Sequence, residues 1–166
     1  GTAGALGYLR DWIAGRATVV LNADTWCPGS LAPLVEGWDG ERIRLLLVGD
    51  DRLHASVRLA GALMPWSDVA PLAAEPSGLY EVSWARAQEE GRIEVVRRDG
   101  PWVDCGTPAQ YLRANLLATG GASVIGEGAK VAGRVERSVV WDRSEVHPAE
   151  VLVDAVRAGP LTVLVR

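Results

Sequence analysis

The sequence predicts an α/β fold with a mostly parallel sheet, followed by a smaller strand-rich region. The short, continuously apolar run at residues 18–21 is typical of a strand that is buried on both faces, and residues 43–48 indicate a second strand. Amphipathic stretches between these runs predict helices, and helices that alternate with strands favour a parallel sheet. From Gly120 the pattern changes to short apolar segments separated by glycines. We therefore expect one region at residues 1–119 and a second at residues 120–166.

The first predicted element is an amphipathic helix near the start of the chain. Ala5, Leu9, Trp12 and Ile13 recur at helical spacing, which would place them on one buried face. Gly15 follows the last of these residues and is well placed to end the helix.

The other elements follow from similar patterns. Residues 79–90 have helical periodicity, and Thr107-Pro108 predicts a helix start, with Thr as the N-cap and Pro at the first helical position. Gly61 lies within an apolar run, where a glycine indicates either a bulge or the close approach of a ligand. The expected strands, of which the first is predicted to be buried and parallel, are 18–21, 43–48, 57–64, 93–96 and 102–104.

Two aspartates follow separate strand-like runs. Asp24 comes soon after the run 18–21, and Asp104 follows the runs 93–96 and 102–103. Ligands of open α/β sheets gather at the carboxyl ends of the strands. Two carboxylates at such ends can share one Mg²⁺, which completes its shell with water and phosphate oxygens. Aspartate is also common in turns and helix caps, so a purely structural role is the alternative.

Composition excludes several classes of protein. The net charge of −4 gives no basic surface for nucleic acid, and no apolar run is long enough to span a membrane. No signal peptide is visible at the start of the chain. Cys27 and Cys105 are too few for a disulfide framework or a zinc site, and His54 and His147 lack partners at ligand spacing. We expect a reduced, cytoplasmic protein that binds neither nucleic acid nor membranes.

Three motifs in a fixed order resemble one enzyme family. The segment Trp102–Asn115 is similar to the W-x-D-[apolar]-G-T-P-x-x-Y-L-x-A-N segment of sugar-1-phosphate nucleotidyltransferases, and most like the mannose-1-phosphate guanylyltransferase-like group. Gly1–Leu6 resembles the nucleotide-side loop of that family, and Asn22–Asp24 its first metal-binding turn. The segment from about Ala122 resembles the short hexapeptide-repeat extension of many members.

The resemblance implies a Rossmann-like domain with a left-handed β-helix-like tail. It also implies the substrates, a nucleoside triphosphate and a sugar 1-phosphate, of which GTP and mannose 1-phosphate are favoured, with Mg²⁺ as cofactor. The site residues that it implies are Asp24 and Asp104 for catalysis and metal binding, Gly1, Thr2, Gly4 and Asn22 for the nucleotide, and Gly61 for the sugar.

Two departures from the family pattern affect these expectations. The glycine-rich loop that opens the family is absent, so we expect residues 1–166 to be the C-terminal part of a longer chain. We therefore expect the segment to be inactive alone, to partner the missing N-terminal half, and to form a homo-oligomer through the tail. The family also uses a Lys for the sugar phosphate, whereas the sole lysine here is Lys130, so Arg52 or Arg58 would have to substitute.

The alternative function is a non-catalytic relative, a nucleotide-sugar-binding or regulatory subunit with the same fold. A dinucleotide-dependent oxidoreductase is disfavoured, because the sequence contains no G-x-G-x-x-G.

Overall fold

The computed structural model describes residues 1–54 and 56–165. The chain forms two compact units, and a short segment that lies between two parts of the first unit in the sequence belongs to the second unit. The first unit comprises Gly1–Ala23 and Cys27–Trp102, and the second comprises Asp24–Trp26 and Val103–Arg166.

The structure contains short helices and short strands. The helices are α1 (Thr2–Tyr8), α2 (Arg10–Ile13), α3 (Ala32–Val35), α4 (Trp66–Val69), α5 (Ala85–Glu89), which continues a π-helical turn at Tyr80–Trp84, and α6 (Pro108–Ala118). The strands are β1 (Thr18–Val20), β2 (Thr25–Trp26), β3 (Ile43–Val48), β4 (Leu59–Met64), β5 (Ile93–Arg98), β6 (Val103–Asp104), β7 (Val124–Ile125), β8 (Lys130–Val131), β9 (Arg134–Glu136), β10 (Val139–Val140), β11 (Glu145–Val146), β12 (Val151–Val153), β13 (Ala155–Ala158) and β14 (Leu161–Leu164). In the described part of the chain, no helix combines the length and the apolar character needed to cross a membrane.

The division into units differs from the boundary expected after residue 119. Helix α6 belongs to the second unit, because Leu112 packs in one apolar cluster with Val139 and Val156. The boundary was expected at Gly120 and Gly121 because the sequence pattern changes there. In the structure these two glycines form the turn that follows α6, inside the second unit.

The first unit has a mixed sheet of four strands in the order β1-β4-β3-β5. Only β3 and β5 are parallel, whereas β1–β4 and β3–β4 are antiparallel, so the prediction of a mostly parallel sheet is wrong for these strands. A parallel pair needs a long crossover, and the connection from β3 to β4 is too short for one. Strand β1, which we predicted to be buried and parallel, is an antiparallel edge strand, and Val19 is 45% exposed.

Strand β3 lies at the centre of the first unit, and all six of its residues are buried. One of them is charged. Arg44 is 4% exposed and forms two hydrogen bonds of 3.0 Å with the Glu94 carboxylate on β5. Its guanidinium also donates to the carbonyl oxygens of Glu36 and Gly37, at 2.6 and 3.0 Å. Arg44 therefore joins the central strand to the loop after α3.

The predicted N-terminal helix is present, but its buried face is different. Helices α1 and α2 follow one another directly. Helix α2 ends before Ala14 and Gly15, which both have positive φ. Trp12 is 69% exposed, although the periodicity placed it inside. The face that packs is instead rich in glycine: a Cβ atom on Gly4 would overlap the Glu75 carbonyl oxygen. The missing side chains let the backbone of residues 73–78 approach the helix.

This close approach predicts that replacing a helix glycine by alanine lowers the free energy of unfolding instead of raising it. Helix propensity alone would make Gly4→Ala stabilising by about 1 kcal/mol. We expect the variant to lose about 1–3 kcal/mol of unfolding free energy instead, because the new methyl group would overlap the Glu75 backbone. Urea denaturation measures the change, with Ala5→Gly on the exposed side of α1 as the control that responds to propensity alone. A more stable Gly4→Ala variant would contradict the packing.

The second unit contains a coil of short parallel strands. Strand β10 lies between β7 and β13, β11 pairs with β8, and β12 pairs with β9, so the chain returns alongside itself after visiting three small sheets. Val140, Val146 and Leu152 are buried in its interior. Ile125 and Val131, the pair whose spacing indicated a repeat, align with Val140 and Val146 but are 47% and 40% exposed. They belong to the first turn, which has no turn before it to cover them.

A buried charged residue continues one interior column of the coil. Arg157, 7% exposed, aligns with Val140 and thus replaces an apolar residue in the interior column. It donates to the Glu145 carbonyl oxygen at 3.0 Å and pairs with the Glu150 carboxylate. The His147 backbone N–H, and after it the Arg157 guanidinium, hold the pKa of Glu150 below its ordinary value of 4.5.

The lowered pKa predicts that the second unit is sensitive to acid. A carboxylate with a lower pKa in the folded state stabilises the fold above the pKa of the unfolded chain. This contribution is lost as the pH falls from about 4.5 through the folded-state pKa. We expect the thermal midpoint to fall over this range, and to fall less in Glu150→Gln. Glu127→Gln, elsewhere in the same unit, should follow the wild type; equal acid sensitivity of both variants and the wild type would contradict the role of Glu150.

Candidate functional site

A two-stranded ladder brings the two predicted catalytic segments together in the second unit. Strands β2 and β6 pair antiparallel, with Thr25 opposite Asp104. The Cys105 N–H donates to the Asp24 carbonyl oxygen at 2.7 Å. This hydrogen bond extends the ladder by one residue on each side, to Asp24 before β2 and to Cys105 after β6. The backbones of Asp24 and Asp104 therefore lie on neighbouring segments, although they are far apart in the sequence.

The carboxylate of Asp104 is oriented by the turn that follows it. Its Oδ1 accepts a hydrogen bond from the Gly106 N–H at 2.9 Å, and a Cβ atom at position 106 would lie 3.1 Å from this oxygen. Helix α6 then begins as predicted: Thr107 is the N-cap, its Oγ1 accepts from the Gln110 N–H at 3.2 Å, and Pro108 is the first helical residue. The Gly-Thr-Pro motif thus fixes one oxygen of Asp104, whereas Oδ2 accepts no hydrogen bond from the described residues.

The Asp24 carboxylate is placed by a turn rather than by a strand. Thr25, and not Asp24, stands directly opposite Asp104, and strict alternation would send the two carboxylates to opposite faces. Asp24 lies in the turn that precedes β2, where this alternation does not apply, and its side chain is exposed. The convergence of the two carboxylates on one ion stays a prediction.

The donor set in this ladder is compatible with one metal class. In residues 1–54 and 56–165 no three His, Cys, Asp or Glu side chains form a group that could hold a metal ion. Two carboxylates suit Mg²⁺, because that ion keeps several waters and takes further oxygens from substrate phosphates. Carboxylates that ligate metals are commonly held by hydrogen bonds, and the Asp104 carboxylate accepts one from the Gly106 N–H.

A separate cavity of about 230 Å³ lies within the first unit, at the carboxyl end of β1. Of the predicted nucleotide-binding residues, Thr2 and Asn22 both line it. The other lining residues are Val20, Leu53, His54, Val57, Leu59, Gly78, Leu79, Tyr80, Glu81 and Trp84. None of these residues is Lys or Arg, and Glu81 is the one acidic residue among them.

The three predicted glycines lie outside this cavity, among other parts of the first unit. Gly1 and Gly4 pack against the carbonyl oxygens of Ser77 and Glu75, which accounts for the absence of side chains at both positions. Gly61 lies at an irregularity in the pairing of β3 with β4, and a Cβ atom there would lie 2.7 Å from the Leu21 side chain. A bulge was the structural alternative at Gly61, and the roles of all three glycines in binding stay predictions.

The two arginines considered for the sugar phosphate do not line the cavity. Arg58 lies 3.9 Å from the Asp50 carboxylate, and its guanidinium packs over Gly49. Arg52 is exposed in the same connection between β3 and β4. The described residues therefore provide no Lys or Arg side chain in the wall that contains Thr2 and Asn22.

Sequence reasoning missed the residues that form one side of the cavity. Tyr80, Glu81 and Trp84 belong to a π-helical turn, which the periodicity of residues 79–90 made indistinguishable from an ordinary helix. The indole N–H of Trp84 is buried and has no hydrogen-bond partner among the described residues. Such departures from regular geometry are frequent at functional sites. The tryptophan on a short helix was the signal that could have drawn attention to this segment.

No protein-family model matches the sequence, and no curated protein is significantly similar to it. Eighteen chains of known structure do match. One is described as a glucose-1-phosphate thymidylyltransferase from Bacillus anthracis, in complex with sucrose, and it shares 21% identity over 71% of this chain, with a TM-score of 0.55. Another is a mannose-1-phosphate geranyltransferase from Thermus thermophilus, which shares 17% identity over 99% of this chain, with a TM-score of 0.59.

The matches span 61% of the Bacillus anthracis chain and 70% of the Thermus thermophilus chain. At these identities the comparison shows the fold, which is that of sugar-1-phosphate nucleotidyltransferase-like proteins. The resemblance of the sequence motifs to this family and the similarity of the structures agree.

Proposed function

We propose that this chain is part of a sugar-1-phosphate nucleotidyltransferase, with GTP and mannose 1-phosphate as the favoured substrates. In this reaction a phosphate oxygen of the sugar 1-phosphate attacks the α-phosphorus of the nucleoside triphosphate in line. A new P–O bond forms as the bond between the α-phosphorus and its bridging oxygen breaks, and pyrophosphate leaves. Such a transfer depends on positioning and charge neutralisation rather than on covalent catalysis.

In this proposal Asp24 and Asp104 would hold a Mg²⁺ ion. The ion, when bound, supplies positive charge that stabilises the phosphoryl oxygens. The Gly106 N–H holds one oxygen of Asp104 in place, so the other oxygen is available as a ligand at no cost in side-chain ordering. The antiparallel pairing of β2 with β6 is the single observation that carries the proposal, because it brings the two motif aspartates onto neighbouring segments of the chain.

The cavity of the first unit is proposed to receive part of the nucleotide. Thr2 and Asn22 supply a hydroxyl and an amide at its wall, and apolar side chains complete it. This composition is typical of ligand sites in which a few polar groups fix the orientation of the ligand.

Pyrophosphate release tests the function directly. The full-length protein would be incubated with Mg²⁺ and with each combination of four nucleoside triphosphates and several sugar 1-phosphates. We expect release with at least one pair, and most rapidly with GTP and mannose 1-phosphate. An absence of release with every pair, from folded protein, would contradict the enzymatic function.

The second candidate is a non-catalytic subunit that binds nucleotide-sugars. The sequence favours it, because the sole lysine is Lys130, so residues 1–119 lack the Lys that the family uses for the sugar phosphate. Nucleotide-stimulated assembly without pyrophosphate release would support this candidate.

We also propose that the coil of the second unit is a short left-handed β-helix of the hexapeptide-repeat type. Its parallel pairing and the six-residue spacing of the buried residues Val140, Val146 and Leu152 support this assignment. The exposed side chains of Ile125 and Val131 at its first turn would favour association with a second copy. A cytoplasmic location is proposed on the composition of the sequence.

A further inference from the structure

The wall of the cavity in the first unit is unsuited to phosphate. Glu81 contributes a negative charge, His54 is the other titratable group in the wall besides the Tyr80 phenol, and no Lys or Arg is present among the lining residues. A phosphate group would therefore be repelled rather than neutralised. The cavity instead suits a neutral ring, because aromatic and aliphatic side chains form most of its surface.

Glu81 is an exposed residue whose side chain lines this cavity and has no protein partner among the described residues. A Cβ atom on Gly78 would overlap Glu81 Oε2, which is the end of a flexible side chain, so the carboxylate lies against the Gly78 backbone. Among residues 1–54 and 56–165, no hydrogen bond or ion pair to the Glu81 carboxylate is found, whereas Glu90 and Glu94 both pair with arginines. Two acceptor oxygens are thus available at the wall.

The segment that carries Glu81 is held in a conformation with a cost. Residues Tyr80–Trp84 form a π-helical turn, and the buried indole N–H of Trp84 lacks an acceptor in the described part of the chain. Buried polar groups are nearly always paired, so an unpaired one needs an explanation.

We propose that Glu81 reads guanine, its carboxylate accepting hydrogen bonds from the N1–H and the exocyclic amine of the base. These two donors lie side by side on the Watson–Crick edge of guanine and match the two oxygens of a carboxylate. Adenine has no N1–H, and hypoxanthine lacks the exocyclic amine. Tyr80 and Trp84 supply aromatic surface near the ring, and bases stack on such surfaces without regard to sequence. This inference rests on the proposed function and assigns the base-selecting residue of its nucleotide site.

Binding of neutral nucleosides without Mg²⁺ tests the inference separately from catalysis. Isothermal titration calorimetry on the full chain would compare guanosine, inosine and adenosine. We expect guanosine to bind more tightly than inosine or adenosine by roughly 5- to 150-fold, the discrimination that a bidentate base contact provides. In Glu81→Gln this preference should fall to a few-fold, because an amide offers only one acceptor oxygen.

Two further variants separate recognition from folding. Gly78→Ala should displace the carboxylate without removing it, and should reduce the preference for guanosine while the chain remains folded by circular dichroism. Glu89→Gln, an exposed glutamate outside the cavity, should leave the preference unchanged. An unchanged preference in Glu81→Gln, together with a lowered thermal midpoint, would show that Glu81 is only structural and would overturn the inference.

The remaining outcomes concern the other ligand that a carboxylate could bind. If Glu81→Gln weakens binding of methyl mannoside and leaves guanosine unaffected, the cavity takes the sugar, and the inference is wrong. It is equally overturned if the wild type binds none of the nucleosides. Pyrophosphate release enters none of these measurements, so a failure of the proposed reaction and a failure of base reading can be distinguished.

Discussion

Replacing Asp104 by Asn is expected to reduce pyrophosphate release by about a thousandfold. The variant removes a negative charge from the proposed Mg²⁺ site, and metal ions supply several kcal/mol of charge stabilisation in such reactions. It should leave the fold intact, because the asparagine oxygen can still accept the hydrogen bond from the Gly106 N–H. Turnover of the full-length protein with saturating Mg²⁺ measures the effect, and Asp24→Asn should behave alike.

A control variant separates this effect from a general change in charge. Asp99 is exposed in the turn after β5 and pairs only with Arg97 in the described part of the chain. We expect Asp99→Asn to retain full turnover. If Asp104→Asn retained activity within a few-fold, the aspartate would be a turn residue, and the metal site would have to lie elsewhere.

Replacing Arg44 by Met is expected to destabilise the first unit by about 3 kcal/mol. Arg44 is buried on the central strand, and the variant would leave the Glu94 carboxylate without its main partner and two backbone carbonyl oxygens without donors. Guanidinium chloride denaturation, monitored by tryptophan fluorescence, gives the change in unfolding free energy.

The neighbouring Arg42 provides a matched control. It lies 3.8 Å from the same Glu94 carboxylate, but about half of its side chain is exposed. Exposed ion pairs contribute little, so Arg42→Met should cost less than about 1 kcal/mol. Equal losses in the two variants would indicate that burial of Arg44 is not what makes its network matter.

Local signals in the sequence were sufficient for some elements and not for others. The start of α6 was predictable, because Thr107 and Pro108 each have a preference for one position in the first turn. The direction of β1 was not predictable, because an apolar run of this length suits an edge strand as well as a central one. The burial of Arg44 was not predictable either. Its apolar neighbours indicate a core strand at residues 43–48, but they do not show that the guanidinium is buried with them.

The candidate site was also predictable only in part. Asp24 and Asp104 were predicted from the motifs. The pairing of their segments was not, because strands of only two residues are too short for any periodicity. Thr2 and Asn22 were predicted, and both reach one cavity. The proposed role of Glu81 was not predictable, because it depends on the placement of this side chain at the cavity, which a single sequence does not reveal.

The pairing of β2 with β6 has a consequence for the order in which the chain folds. Strands of the coil pair with strands that are close in the sequence, as Lys130 does with Glu145. Thr25 and Asp104, in contrast, are separated in the sequence by most of the residues of the first unit. Closing so long a loop costs more entropy and slows folding. We therefore expect the coil to form early and the contact between the two aspartate segments to form late. The segment Asp24–Trp26 would then dock as a final step, and metal binding would report the completion of folding.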